Sequence, residues 1–389
     1  MTEKPSGRLL ALDVLRGITI AGMILVNNSG SGSTTYAPLK HEIWHGLTPT
    51  DLVFPFFMFI MGISTYISLR KFNFELTTPT LFKIIKRTII IFLIGVGLSW
   101  FSISFSTYRS LQAEDIGFLE RFFKAISNFE HIRILGVMQR LALTYCVASI
   151  VAITVKHKYI PHIIAVTLIG YFLLLLFGNG FERSEQNIIS IVDQAVLGID
   201  HMYKDSGLAL DPEGLLSTIP AIAHVLIGFC CGAVLMTIKD NQQRITQLFI
   251  IGTILAFAGF LLSYGCPINK KIWSPTFVLA TCGLASLLLA LLIWIIDIKG
   301  YKRWSVFFES FGVNPLFIYV LAGVIAILAG QPFFTYENEL ISAKKIIYSV
   351  VLQPSFGDYF GSLLYAILFV SICWLVGNIL YKKKIYIKI

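Results

Sequence analysis

Long apolar runs alternate with short polar breaks along this chain, and the runs have the length of membrane-crossing helices. Ten can be read: 9–27, 51–69, 82–104, 134–155, 160–177, 216–237, 246–264, 276–296, 306–328 and 359–380. A helix needs about 20 apolar residues to cross about 30 Å of hydrocarbon, and these runs match that length. The pattern predicts an all-α fold, a polytopic integral membrane helical bundle in which residues 1–389 form a single transmembrane domain. The first run carries Lys4 and Arg8 on its flank, as a signal sequence would. Asp13 and Arg16 interrupt its apolar stretch, however, and no small-residue cleavage site follows, so it reads as an uncleaved first helix.

Composition narrows the class further. Apolar residues make up 56% of the chain and charged residues only 14%, where a soluble domain carries about a quarter charged. With a mean hydropathy of +0.76, soluble enzymes, disordered regulators and secreted disulfide scaffolds are excluded. The six cysteines form no CxxC pair and fall mostly inside apolar runs, as small apolar filler does.

The net charge of +9 does not point to nucleic acid, because its longest basic block is Lys382-Lys383-Lys384. Its placement reports orientation instead. With ten spans, one set of loops and span ends holds Lys4, Arg8, Arg70, Lys71, Lys83, Lys86, Arg87, Lys156, Lys158, Lys239, Arg244, Lys299, Lys302, Arg303, Lys382, Lys383, Lys384 and Lys388. These are eighteen of the 31 basic residues, in short loops. The opposite loops (105–133, 178–215 and 329–358) are long and dilute in basic charge. The positive-inside rule therefore predicts both termini in the cytoplasm. No internal repeat is evident, which argues against transporters built from duplicated halves.

Charge within a span needs a reason, since it costs about 2.5–3.5 kcal/mol even on the insertion scale. Asp13 and Arg16 share a helix face and read either as a self-neutralising pair or as the polar floor of a cavity. Gln139 and Arg140 lie inside the fourth span, too deep for the arginine to snorkel, so an anionic ligand or a buried carboxylate (Asp13 or Asp51) should meet it. Asp51 opens the second span, where a helix cap and a functional carboxylate are both open readings. Asn314-Pro315 breaks the ninth run, as polar breaks do where they line a cavity.

The first outward loop leaves helix one through Asn27, passes a Gly/Ser turn, and returns through Lys40-His41-Glu42-Ile43-Trp44-His45-Gly46. Either histidine could act as a base or an acyl acceptor, and equally the cluster could be an interfacial aromatic belt. Their i, i+4 spacing suits a metal, but no third ligand is evident, so no metal is expected. Asp211-Pro212-Glu213-Gly214 and Pro267-Ile268-Asn269-Lys270-Lys271-Ile272-Trp273 form further outward segments. Trp273 could be a platform for a sugar ring or an interfacial anchor. No GxxxxGK[ST], GxGxxG or GxSxG motif occurs.

Taken in order, these segments resemble one family, the heparan-alpha-glucosaminide N-acetyltransferases and their bacterial relatives among the transmembrane acyltransferases. The resemblance rests on Asp13-Val-Leu-Arg16-Gly17 with Val26-Asn27, and on the long run from Lys40-His41-x-x-Trp44 through Asp51-Leu-Val-Phe-Pro-Phe-Phe to Gly62. It continues with Gly136-Val-Met-Gln139-Arg140-Leu, Asp211-Pro-Glu-Gly214-Leu and Asn269-Lys-x-x-Trp273-Ser274. It implies transfer of an acetyl group from cytoplasmic acetyl-CoA to a glucosamine-like amino sugar across the membrane. His41 is then the base or transient acetyl acceptor, with Asn27 beside it as a donor to the reacting oxygen.

On this reading Arg16, Lys83, Lys86, Arg87, Gln139, Arg140 and Asn314 are candidates for binding acetyl-CoA. Asp51, Glu213, Asn269, Lys271 and Trp273 are candidates for the acceptor, and His45 belongs to the loop structure. The long N-terminal region of the lysosomal members is not seen, so a smaller sugar or cell-wall fragment is expected as acceptor. The resemblance also implies a bacterial inner (cytoplasmic) membrane location and, from the family alone, a homodimer. An amino-sugar transporter and an O-acyltransferase acting on cell-wall or lipid-linked glycans are the competing readings.

Overall fold

The computed structural model describes residues 9–387, so the orienting residues Lys4, Arg8 and Lys388 lie outside the described residues. Among the described residues, nine helices are long and apolar enough to cross a membrane. They are α1 (Leu10–Asn27), α2 (Val53–Arg70, entered through a 3-10 turn at Pro49–Leu52), α3 (Thr78–Ser110) and α5 (Val137–Thr154). The others are α6 (Ile160–Phe177), α8 (Thr218–Thr237), α9 (Asn241–Leu262), α10 (Pro275–Ile293) and α15 (Asp358–Lys382). The protein is an all-α integral membrane protein, as the apolar pattern predicted.

The ninth run, 306–328, is not one straight span. It divides into α11 (Ser305–Gly312) and α12 (Pro315–Gly330), bent by 84°. Pro315 cannot supply the backbone donor a continuous helix needs, and Asn314 turns its side chain to other work. Its Nδ2 donates to Ile385 O at 2.9 Å and its Oδ1 accepts from Ile387 N at 2.8 Å. The break therefore anchors the segment that follows α15.

Burial sorts the helices into two layers. In α1, α2, α5, α8 and α10, 61–67% of the apolar stretch is buried by protein, against 11–33% in α3, α6, α9 and α15. The second group therefore presents its apolar side chains to lipid. Inner helices meet through glycines, the usual way for backbones to approach in a membrane. A Cβ on Gly17 of α1 would lie 1.8 Å from Phe308 O of α11, and one on Gly62 of α2 would lie 2.1 Å from Val225 O of α8.

The remaining elements lie in the long loops between the spans. The short helices α4 (Phe118–Ile126) and α7 (Ile188–Leu197) are among them. A hairpin of β1 (Phe334–Tyr336) and β2 (Glu339–Ile341) pairs Thr335 with Leu340. It leads through α13 (Ala343–Lys345), a π-helical stretch at Ile346–Leu352 and α14 (Gln353–Phe356) into α15.

Candidate active site

Between α1 and α2 the chain folds into two 3-10 turns, Ala37–Leu39 and Pro49–Leu52, and His41 hangs between them. Thr48 Oγ1 donates to Lys40 O at 2.8 Å and Thr50 Oγ1 to Pro38 O at 3.0 Å, which ties the two turns together. Gly46, at φ 132°, lets the loop reverse, and its N–H reaches Ile268 O at 2.8 Å.

Asp51 is buried at the centre of this frame. Its Oδ2 accepts from Glu42 N and Thr48 N at 3.1 and 3.2 Å and lies 2.9 Å from Thr48 Oγ1, while Oδ1 lies 2.7 Å from His41 Nδ1. Asp51 thus caps the Pro49–Leu52 turn and meets His41 with the same carboxylate. An ionised carboxylate only accepts, so Nδ1 carries the proton and Nε2 keeps its lone pair.

His41 and Asp51 line a cavity of about 510 Å³ together with Asn27, Arg133, Arg183, Asp205, Glu213, Lys270 and Lys271. Its charges come mostly as pairs. Arg133 grips buried Asp211 through Nε at 3.1 Å and Glu213 through Nη2 at 2.6 Å. Burial opposes both charges, yet Arg133 holds the Glu213 carboxyl below its ordinary value, and the two acids raise Arg133. Asp205 accepts from Arg183 at 3.1 Å and from Lys271 at 2.7 Å. Asn27, the last residue of α1, makes no hydrogen bond through its side chain among the described residues and is exposed in the cavity.

A second cavity of about 450 Å³ lies further along α1, lined by Arg16, Ser64, Ser68, Lys83, Arg87 and the apolar Phe57, Met138 and Leu316. Arg16 pairs with Asp13 at 3.0 Å, as its spacing predicted, and donates to Ser64 Oγ at 2.8 Å. The close approach at Gly17 also puts Arg16 Nη1 3.3 Å from Gly312 O. Among the described residues, Lys83 reaches only Ser68 Oγ, at 3.3 Å, and the Phe72 ring. Arg87 lies over the Tyr145 ring, and its buried Nε has no hydrogen-bond partner among the described residues.

A void of about 20 Å³ between the two is walled by Ile20, Met23, Phe54, Val137 and Tyr319. It shares Phe57, Met138, Leu141, Pro315 and Leu316 with the Arg16 cavity. Arg16, Ile20, Met23 and Asn27 recur at helical spacing, so one face of α1 runs from the second cavity, past the neck, to the first. Eleven residues at 1.5 Å each make that path about 16 Å.

Several residues singled out from the sequence lie elsewhere. Trp273 is fully buried, edge-on to Phe54 and Phe277 with the Arg140 guanidinium over its ring, and lines neither cavity. Asn269 is buried as well. Its Oδ1 accepts from Lys271 N and Ile272 N, shaping the loop, and its Nδ2 lies 3.3 Å from His45 Nδ1. Burial lowers His45 below its usual value.

Arg140 meets neither Asp13 nor Asp51, which are engaged by Arg16 and His41. It donates instead to Gly214 O at 3.2 Å and to Ser217 Oγ. Gln139 packs against Gly95 of α3, Lys86 lines neither cavity, and Asn314 holds the Ile385–Ile387 segment. No cluster of three or more metal-ligating side chains occurs among the described residues. Sequence reasoning missed Lys270, Arg133, Arg183 and Asp205. Lys270 stood beside the chosen Lys271, and only the loop's conformation tells the two apart.

No protein-family model matches the chain. Among curated proteins it is similar to the heparan-alpha-glucosaminide N-acetyltransferase of Mus musculus, 24% identical over 99% of this chain and 61% of that protein. The same enzyme of Homo sapiens is 26% identical over 98% of this chain and 60% of its own length. The chain is similar to these N-acetyltransferases along nearly all of its own length. It spans about three fifths of the length of the curated relatives it matches. The similarity read from short motifs thus extends over nearly the whole chain.

Proposed function

We propose that the protein is a transmembrane N-acetyltransferase. It takes an acetyl group from acetyl-CoA at the Arg16 cavity and gives it to an amine, of the glucosamine type, in the His41 cavity. The observation that carries this reading is the face of α1 that joins a cationic cavity to a His–Asp pair through an apolar neck. A polyanionic donor suits the first cavity, where Lys83 and Arg87 have no carboxylate partner among the described residues and Arg87 Nε lacks any acceptor. The positive-inside pattern puts that cavity on the cytoplasmic side.

In this mechanism Lys83, Arg87 and Arg16 hold the phosphates, and the apolar neck orients the arm that carries the thioester while excluding water. Asp51 fixes the His41 ring with Nε2 free to take the acceptor's proton, a role typically worth about 10²–10⁴-fold. Asn27 donates toward the carbonyl oxygen.

The test is release of free thiol from acetyl-CoA by the purified protein in detergent, with a panel of amino sugars and hydroxyl-only sugars as acceptors. Amine-dependent release that falls to background in His41→Ala is the expected result. No release with any acceptor, as expected of a transporter, would overturn the reading. Release with hydroxyl acceptors alone would turn it into an O-acyltransferase.

A further inference from the structure

The His41 cavity contains a cation that this mechanism does not use. Lys270 Nζ lies 3.0 Å from His41 Nδ1, 3.5 Å from His41 Nε2 and 3.4 Å from Asp51 Oδ1. A donor placed along the Nδ1 lone-pair direction would be far from Nε2. Two such similar distances put the ammonium over the face of the imidazole, beside the edge that carries both nitrogens. The Nδ1 proton is already committed to Asp51, so Lys270 is not an in-plane partner of the ring.

Its position is held by the backbone around it. Asn269 N donates to Ser274 Oγ at 3.0 Å, and Asn269 Oδ1 accepts from the next two amides but one, those of Lys271 and Ile272. Trp273, buried and at φ 51°, donates its N–H to Lys270 O at 3.1 Å. Asn269 and Trp273, assigned from sequence to sugar binding, thus shape the loop that aims this lysine.

Comparison with Lys271 shows what is particular about Lys270. Lys271 makes a close pair with Asp205 at 2.7 Å. Lys270 approaches Asp51 only loosely, because His41, Glu42 and Thr48 already occupy the carboxylate. An ammonium has three N–H donors, so Lys270 keeps donor capacity for the cavity. Burial lowers it below its ordinary value, while Asp51 and Glu213 pull the other way.

We propose that Lys270 is a catalytic group of the acetyl transfer, holding the negative charge that gathers on the acetyl carbonyl oxygen beside His41 Nε2. The proposal rests on the acetyltransferase reading above. The acceptor nitrogen's lone pair forms the C–N bond, and the carbonyl π pair moves onto oxygen, where the ammonium meets it. The acceptor's N–H proton passes to Nε2. As the carbonyl re-forms, the C–S bond breaks with its electron pair on sulfur, and sulfur takes the proton from His41. Lys270 gives up no proton and forms no bond.

The experiment compares Lys270→Met and Lys270→Arg in the full-length protein in detergent, with acetyl-CoA and glucosamine. Loss of a donor of this kind lowers kcat about 10²–10³-fold. The expected result is that fall in the Met variant, with both KM values little changed, and recovery to within about tenfold of wild type in the Arg variant. A third variant guards against misfolding: Lys270→Cys should be slow until alkylation with 2-bromoethylamine restores an ammonium, and then recover.

A Met variant with wild-type kcat overturns the proposal, as does a change in acceptor KM alone. Failure of the alkylated Cys variant to recover, or an acetyl group found on Lys270 by mass spectrometry, also overturns it. The last result would make the lysine an acyl carrier. If the wild-type protein itself releases no thiol, the acetyltransferase reading falls and this proposal with it.

Discussion

The two cavities that share the face of α1 are built on opposite electrostatic plans. In the His41 cavity most charges are matched: Arg133 with Asp211 and Glu213, Arg183 and Lys271 with Asp205, His41 and Lys270 with Asp51. In the Arg16 cavity the only acid paired with a lining cation is Asp13, among the described residues, and Lys83 and Arg87 rely on a hydroxyl and aromatic rings. A matched network is rigid and fixes geometry before any ligand arrives. An unmatched set of cations leaves its free energy for a ligand that brings the negative charge. The first plan suits chemistry and the second suits holding a polyanion.

The largest effect should come from breaking the matched side. Asp51→Asn keeps the shape but can donate to His41 Nδ1 and so present the wrong tautomer. We expect kcat to fall about 10²–10⁴-fold with acetyl-CoA KM unchanged, measured by thiol release. An equal rise in KM instead would show that the two cavities are not functionally separate.

The unmatched side should respond in the opposite parameter. Arg87→Met removes a cation worth about 1.5–3 kcal/mol to a charged partner, so acetyl-CoA KM should rise about tenfold or more at constant kcat. Its KM should also depend less on salt than that of the wild type. A fall in kcat without a change in KM would break the division of roles.

The smallest effect concerns an exception behind the matched side. Asp193 on α7 accepts from Leu215 N and Leu216 N through Oδ1, while its buried Oδ2 has no hydrogen-bond partner among the described residues. Burial raises this carboxyl to about 6. A raised acid binds its proton more tightly when folded, so it destabilises the fold progressively as pH rises from the unfolded value toward 6, and fully above that. Asp193→Asn should therefore raise the melting midpoint by a few degrees above pH 7 and leave it unchanged below pH 4. The same gain at both pH values would mean that ionisation is not the cause.

How far the sequence reaches can be judged from particular residues. All nine long spans lie where the apolar runs put them, because hydrocarbon leaves a chain no alternative to helices of sufficient length. The Asp13–Arg16 pair was legible because i, i+3 residues share a helix face whatever surrounds them. His41 and Asp51 were open readings from local chemistry, and the resemblance singled out His41 together with Asn27. The ninth run misled in part: its composition suits one span, and hydropathy does not register an 84° bend.

What the sequence alone determined, then, is the membrane class, the helix positions and the short-range pairs, since each depends on local composition or on neighbours along one helix. Only the tertiary structure decided which buried polar residues face a cavity. Trp273 and Asn269 became core and loop architecture, Arg140 found Gly214 and Ser217 rather than a carboxylate, and Lys270 rather than Lys271 came to lie over His41. These outcomes turn on which side chain reaches which partner across separations from 74 residues, for Arg140 and Gly214, to 229, for His41 and Lys270. Packing and loop geometry set that, and no period in the sequence encodes it.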